Sequence, residues 1–263
     1  MKIVRFQEGG SAPRYGELTG SRIRVIDGDI LGDYRFTDTE VDAASVKLLA
    51  PVDPPNIICI GLNYKRHADE SGMKHPTLPV LFLKTTNTIT NPEDPIVIPK
   101  VAPNEVDYEV ELAIVVGKTM KNVPEDKVFD YVLGYTCAND VSARDIQLKV
   151  DVQWTRGKSM DTFMPIGPCI VTDIDPDNAD IEFRLNGQTL QKSNTSDMIF
   201  NCSQILSFLS QNMTLFPGTI ISTGTPEGVG FARKPPVFLK PGDVCEVDIA
   251  GIGVLRNPVE AES

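Results

Sequence analysis

The run Asp107-Tyr-Glu-Val-Glu-Leu-Ala-Ile-Val-Val116 sets three carboxylates at alternate positions of a stretch that is otherwise apolar and rich in strand formers. Successive side chains of a strand point to opposite faces, so Asp107, Glu109 and Glu111 would share a face with Ala113 and Val115. Burying an isolated carboxylate costs several kcal/mol even after relaxation. Such a face therefore binds a hard cation, pairs with basic groups, or lies on an edge strand open to water. The spacing by itself leaves these readings open.

With 263 residues, 41% of them hydrophobic, the chain can bury a large core and suits one catalytic domain with a small appendage. Its formal net charge of -11 has no Lys/Arg cluster to offset it, which argues against nucleic acid and anionic membranes as partners. No stretch approaches the roughly 20 apolar residues of a membrane span, and the N-terminus carries no apolar run of signal-peptide length. A cytoplasmic protein is expected. Cys59, Cys137, Cys169, Cys202 and Cys245 are far apart and odd in number, the pattern of reduced thiols rather than of disulfides or a zinc site.

Along the chain, residues 2–6, 15–18 and 22–26 read as short strands separated by Gly and Asp-Gly turns. They suggest a small β-rich N-terminal subdomain over 1–50, with a proline-rich linker at 51–55 and the catalytic domain over 51–263. After the apolar strand 56–60, Asn63 is a candidate N-cap for a short helix over 65–70. On that helix His67 and Glu70 stand at i and i+3 and touch. A carboxylate beside an imidazole orients the ring and stabilises its protonated form, as a general base for water requires; a solvated helix with an incidental contact has the same spacing. The Gly- and Pro-containing stretch 71–79 reads as a loop able to close over a site, with His75 exposed on it.

Asp140 falls where a strand gives way to a helix, so its carboxylate can join those of Glu109 and Glu111. Three rigidly held oxygen donors, with the remaining positions left to water and substrate, suit Mg²⁺, which prefers octahedral geometry at about 2.0–2.1 Å. No His or Cys is near in sequence, which disfavours zinc. Arg144 and Gln147 share a helix face. Lys158, beside Gly157, has the charge to stabilise an oxyanion, although an ordinary surface lysine would look no different. The glycine-rich stretch 223–230 offers backbone N–H groups and threonine hydroxyls to a carboxylate, or is simply a tight turn.

Taken together and in order, Gly61-x-Asn-Tyr-x-x-His67-x-x-Glu70, Glu109-x-Glu111, Asn139-Asp140-x-x-Ala-Arg144-Asp-x-Gln147, Gly157-Lys158-Ser159 and Thr223-Gly-Thr-Pro-x-Gly-Val-Gly230 closely resemble the fumarylacetoacetate hydrolase family from Asn56 to the C-terminus. The resemblance implies a β-rich α+β fold, a mixed β-sandwich roll, usually as a homodimer. It implies Mg²⁺ or Mn²⁺ on Glu109, Glu111 and Asp140, water activated by His67 and Glu70, and an oxyanion or enolate stabilised by Lys158. Thr225 would hold a substrate carboxylate, and Arg144 and Gln147 would contact a small-molecule keto acid. The expected reaction is hydrolysis of the C3–C4 bond of a 2,4-dioxo acid such as an acylpyruvate, with a pyruvate enolate leaving. The same enolate serves an isomerase or decarboxylase of the 2-hydroxyhepta-2,4-dienedioate or oxaloacetate type. A keto-acid-binding protein without catalysis is a further reading, against which intact His67, Glu70 and Lys158 speak. Leu62 stands where some acylpyruvase members have Arg, so a cation suited to small dianions such as oxaloacetate is missing there, with Lys65 and Arg66 the candidates to replace it.

Overall fold

Val110–Val116 is, apart from Glu111, a run of β-branched and apolar residues, and every side chain is buried, as in a strand enclosed on both faces. It is also enclosed on both edges. Val132–Asn139 pairs with it antiparallel from Val110↔Asn139 to Val116↔Val132, and Ile220–Ser222 pairs along its other side. The edge-strand reading of the acidic run is thereby corrected. The alternation breaks as well: Val106–Asp107 forms a separate ladder with Ser142–Ala143, and Tyr108 and Glu109 lie between the two strands. Asp107 consequently leaves the face shared by Glu109 and Glu111.

The computed structural model describes residues 1–263. A twelve-stranded sheet runs in the order Tyr34–Asp42, Arg22–Gly28, Arg14–Thr19, Lys2–Gln7, Met164–Val171, Val132–Asn139, Val110–Val116, Ile220–Ser222, Ile57–Gly61, Val80–Lys84, with two short strands attached beside this path. A five-stranded sheet, from Gln188–Asn194 through Asp180–Leu185, Val244–Ile249 and Gly253–Ala261 to Ile96–Ile98, covers one of its faces. Leu112 and Ile114 of the central strand and Phe183, Val247 and Leu255 of the smaller sheet meet in one core. Ala113 and Val115, on the opposite face, pack with Cys59, Phe82 and Ile166 in a second. The fold is thus the strand-rich layered architecture that the sequence suggested. All five cysteines are free and buried in these cores.

The first fifty residues are hairpins, as expected from their turns, and Lys2–Gln7 hydrogen-bonds to Met164–Val171 through Lys2↔Val171 and Ile3↔Ile170, so they extend the main sheet. Tyr34–Asp42 forms a strand that the sequence reading missed, because its many charged residues mask the β-formers Tyr34, Phe36 and Val41. Cys202–Asn212 is a helix that buries Ile205, Leu206 and Leu209 in the core. Asn201 caps it, its side chain accepting from the N–H of Gln204 while the Gln204 side chain accepts from the N–H of Asn201.

Asn63 is not an N-cap. Tyr64 occupies that position, without a side-chain cap, ahead of the helix Lys65–Glu70. The buried Asn63 amide instead donates to the carbonyls of Phe200 (3.0 Å) and Thr223 (2.7 Å) and accepts from the N–H of Phe200 (2.9 Å). It binds three segments that the chain brings together only on folding. Asn63→Ala leaves these buried groups unsatisfied, and each costs about 1–3 kcal/mol. The expected result is a lowered urea midpoint corresponding to a loss of at least about 2 kcal/mol; a loss below about 0.5 kcal/mol would show that the segments are held by other contacts.

Candidate active site

Glu109, at the entrance to the central strand, and Glu111, on its second residue, share one parity of the chain, and Asp140 follows the end of the neighbouring strand Val132–Asn139. One oxygen of each lies within 4.8 Å of the others. All three are buried, Asp140 completely. The Asn139 side chain accepts from the N–H of Glu109 (3.0 Å), and the N–H of Asp140 donates to the Glu109 carbonyl (2.9 Å), so strand end and strand entrance are tied directly.

Three buried cations face these acids. Lys158, from the short helix Thr155–Lys158, donates to Glu109 Oε2 (2.6 Å) and Asp140 Oδ2 (2.7 Å). Arg144 donates through Nη2 to Glu109 Oε1 (2.6 Å), through Nε to Asp107 Oδ2 (2.8 Å) and through Nη1 to Gln147 Oε1 (2.9 Å). Lys84 was missed in the sequence. It closes the strand Val80–Lys84, donates to Asp140 Oδ1, and spends its other protons on the carbonyls of Val141 (3.0 Å) and Phe163 (2.8 Å). The signal was period two: Lys84 shares the parity of Phe82, the other buried residue of that strand.

The electrostatics divide the acids. Burial pushes the carboxyl of Glu109 up, but Lys158 and Arg144 outweigh it and hold the group below the ordinary carboxylate range. Glu111 has no such cation. Burial, then the charges of Asp140 and Glu109, push its carboxyl well above that range. Its Oε2 accepts from the Ser222 hydroxyl and the N–H of Gly224 (2.9 Å), while Oε1 accepts no hydrogen bond. Burial works against the charge of Lys158 too, yet Asp140 and Glu109 keep its ammonium above the usual lysine value. A buried all-oxygen donor set with an unpartnered carboxylate oxygen is what a hard divalent ion fits. Glu109, Glu111 and Asp140 would hold it.

A cleft, with about 540 Å³ of empty space counting its open mouth, lies beside this cluster. Seven of the nine site residues expected from the sequence line it, namely Glu109, Glu111, Arg144, Gln147, Lys158, Thr225 and His67; Asp140 is fully buried against Lys158, and Glu70 is bonded to His67. Glu70 Oε1 lies 2.8 Å from His67 Nδ1 and, with Oε2, accepts from the N–H of Gly228 (3.1 and 3.0 Å). The glycine-rich stretch therefore braces the His67–Glu70 pair. Thr225 accepts from Gln191 Nε2 (2.9 Å). Leu62, Met73, Phe82, Leu148, Trp154 and Phe231 form the apolar wall. Trp154 lies so close to Gly61 that a Cβ there would sit 2.5 Å from its ring. His75 is exposed, 3.0 Å from Asp69.

The family model for the fumarylacetoacetate (FAA) hydrolase C-terminal domain matches residues 56–260, and one described as Rv2993c-like, N-terminal matches residues 1–51. Oxaloacetate tautomerase fahd2, mitochondrial, of Xenopus laevis is 48% identical over 82% of this chain and 69% of its own length. A crystal structure of 2-hydroxyhepta-2,4-diene-1,7-dioate isomerase from Mycobacterium marinum aligns over 100% of this chain and 99% of its own at 39% identity, with a TM-score of 0.89. Fumarylacetoacetate hydrolase from Exiguobacterium antarcticum aligns over both full lengths, also at 39% identity, with a TM-score of 0.90.

Two outcomes are expected of metal titrations. Glu111→Gln is expected to weaken Mn²⁺ binding by more than about tenfold in calorimetry, because it removes one of the three carboxylates that would hold the ion. In the unaltered chain, metal must displace the proton that the raised Glu111 carboxyl retains, so affinity falls as pH falls and rises until that carboxyl ionises by itself. Titrations in buffers of different ionisation enthalpy count the proton; release of none, with pH-independent affinity, would contradict this account.

Proposed function

The chain belongs to the fumarylacetoacetate hydrolase family, and on that footing we propose that it is a divalent-metal-dependent enzyme that hydrolyses the C3–C4 bond of acylpyruvate-like 2,4-dioxo acids. The observation that carries the hydrolytic reading is the His67–Glu70 pair, 2.8 Å apart and braced by Gly228, beside a cleft lined with acids and cations. With Nδ1 donating its proton to Glu70, His67 Nε2 carries the lone pair that takes a proton from water. A Mg²⁺ or Mn²⁺ ion on Glu109, Glu111 and Asp140 would supply Lewis acidity toward the 2-oxo acid.

The residues of the chain do the rest. Arg144, Gln147 and the Thr225 hydroxyl bind the carboxylate and fix the orientation of the substrate. Lys158 directs its ammonium at the oxygen on which negative charge develops as the C3–C4 bond opens, and burial makes that interaction stronger than it would be in water. Leu62, Leu148 and Trp154 give the remainder of the cleft an apolar lining for the acyl end of the substrate. His67, protonated after attack, returns its proton to the departing carbon.

A second reading, tautomerisation or isomerisation of a keto acid, is favoured by the names borne by the frog and mycobacterial relatives. It needs the same Lys158 and His67 without added water. Two further proposals concern the setting. Exposed Val80, Leu81 and Leu83 on the sheet-edge strand support a homodimer, and five free thiols support a reducing compartment such as the cytoplasm.

A panel of acylpyruvates, oxaloacetate and dienedioates with Mg²⁺ tests both readings. Pyruvate released from an acylpyruvate, coupled to lactate dehydrogenase, marks hydrolysis; pyruvate from oxaloacetate alone marks decarboxylation; and enol–keto conversion without pyruvate marks tautomerisation. His67→Ala is expected to lower hydrolysis by at least about 100-fold while Mn²⁺ binding stays unchanged. Turnover that survives EDTA, or that survives loss of the imidazole, would refute the mechanism.

A further inference from the structure

Asp107 is the first carboxylate of the acidic run, it is completely buried, and it lies outside the metal-ligand cluster. Its oxygens accept four hydrogen bonds: Oδ1 from the N–H groups of Gly230 (2.7 Å) and Tyr108 (2.9 Å), Oδ2 from that of Phe231 (3.0 Å) and from Arg144 Nε (2.8 Å). A carboxylate offers about four acceptor sites, so none remains for an ion or a substrate. The approach is close enough to demand glycine: a Cβ on residue 230 would lie 2.4 Å from Asp107 Oδ1 and 2.0 Å from the Val237 carbonyl.

Arg144 is what this arrangement holds. Its guanidinium is fixed at Nε by Asp107, at Nη2 by Glu109 and at Nη1 by Gln147, and its Cζ sits 4.5 Å from the centroid of the Phe231 ring. Of five N–H donors three are engaged, which leaves one on each terminal nitrogen of a side chain that lines the cleft. A long, freely rotating arginine would meet a carboxylate in many poses; this one is confined to a single pose before substrate arrives.

We propose that Asp107 is a positioning residue, which ties the Arg144 guanidinium to the Gly230–Phe231 backbone and so aims its two unengaged N–H groups at the carboxylate of the 2-oxo acid. This inference rests on the keto-acid reading of the cleft. Asp107 acts on binding and not on the bond being broken, and that separates it from His67 and Lys158.

The test is a cycle of Asp107→Asn, Arg144→Met and the double variant, assayed with Mg²⁺ on the best substrate of the panel. Asp107→Asn is expected to raise KM about tenfold with kcat within about twofold of the unaltered enzyme, and to add less than about twofold once Arg144 is methionine. Effects that multiply, or a fall in kcat at constant KM, would overturn the proposal. A readout independent of turnover is solvent exchange of the Arg144 Nε–H by NMR, expected to be slow in the unaltered chain and fast in Asp107→Asn; protection that persists in the variant overturns the proposal whatever the substrate. An unaltered enzyme that turns over no keto acid would sink the functional reading instead, and the exchange measurement would still judge Asp107. If Asp107→Asn does not fold, Arg144→Lys serves, since it keeps the charge but cannot span Asp107 and Glu109 together; it should raise KM as much as Arg144→Met, and a KM within about twofold of the unaltered value overturns the proposal.

Discussion

The carboxylate of Asp140 is wedged between two lysines, one on each oxygen, and all three side chains are almost wholly inside the protein. No one of these charges is tolerable alone, because desolvating an ion costs several kcal/mol and removing one partner of a buried pair typically costs about 3–5 kcal/mol. They persist because they form a network: Asp107, Glu109, Glu111 and Asp140 against Lys84, Lys158 and Arg144. The acids outnumber the bases by one, and the excess is concentrated on Glu111, the one acid without a cation.

The two lysines differ in what they have left to give. Lys84 commits its three protons to Asp140 and two backbone carbonyls, and it does not reach the cleft. It is part of the frame. Lys158 makes two such bonds and lines the cleft, so it can turn toward a reacting group. The same contrast separates the elements. The acids stand at the ends of strands locked into the middle of a large sheet, whereas His67 and Glu70 sit on a six-residue helix ahead of a glycine- and proline-containing loop. The buried charges are thus held on the rigid part of the fold, and the His67–Glu70 pair on a part more easily displaced.

What could be read in the sequence was local. Glu109-x-Glu111 is legible because a strand alternates, and His67-x-x-Glu70 because a helix returns after three residues; both pairs are where the spacing put them. What could not be read was the partner brought from far away. Asp140 finds Lys84 across 56 positions, and Glu111 finds Ser222 across 111. Asn63 misled for the same reason, since a cap is a local inference and its real partners lie at Phe200 and Thr223. Asp107 misled in the other direction: the alternation was extrapolated one residue pair too far, past the break at Tyr108 and Glu109. The resemblance to a family supplied the convergence of distant motifs that spacing cannot give.

The distribution of sulfur has a practical consequence. Each of the five thiols is enclosed, and burial pushes every one above the ordinary cysteine value, so neither access nor thiolate is available to an electrophile while the chain is closed. Cys59 lies on the strand Ile57–Gly61, whose end lines the cleft, Cys202 opens the helix Cys202–Asn212, Cys137 and Cys169 lie against the smaller sheet, and Cys245 is on one of its strands. Iodoacetamide therefore becomes a clock for opening, and peptide mass mapping of which sulfur is alkylated first would tell which layer of the sandwich parts company with the other.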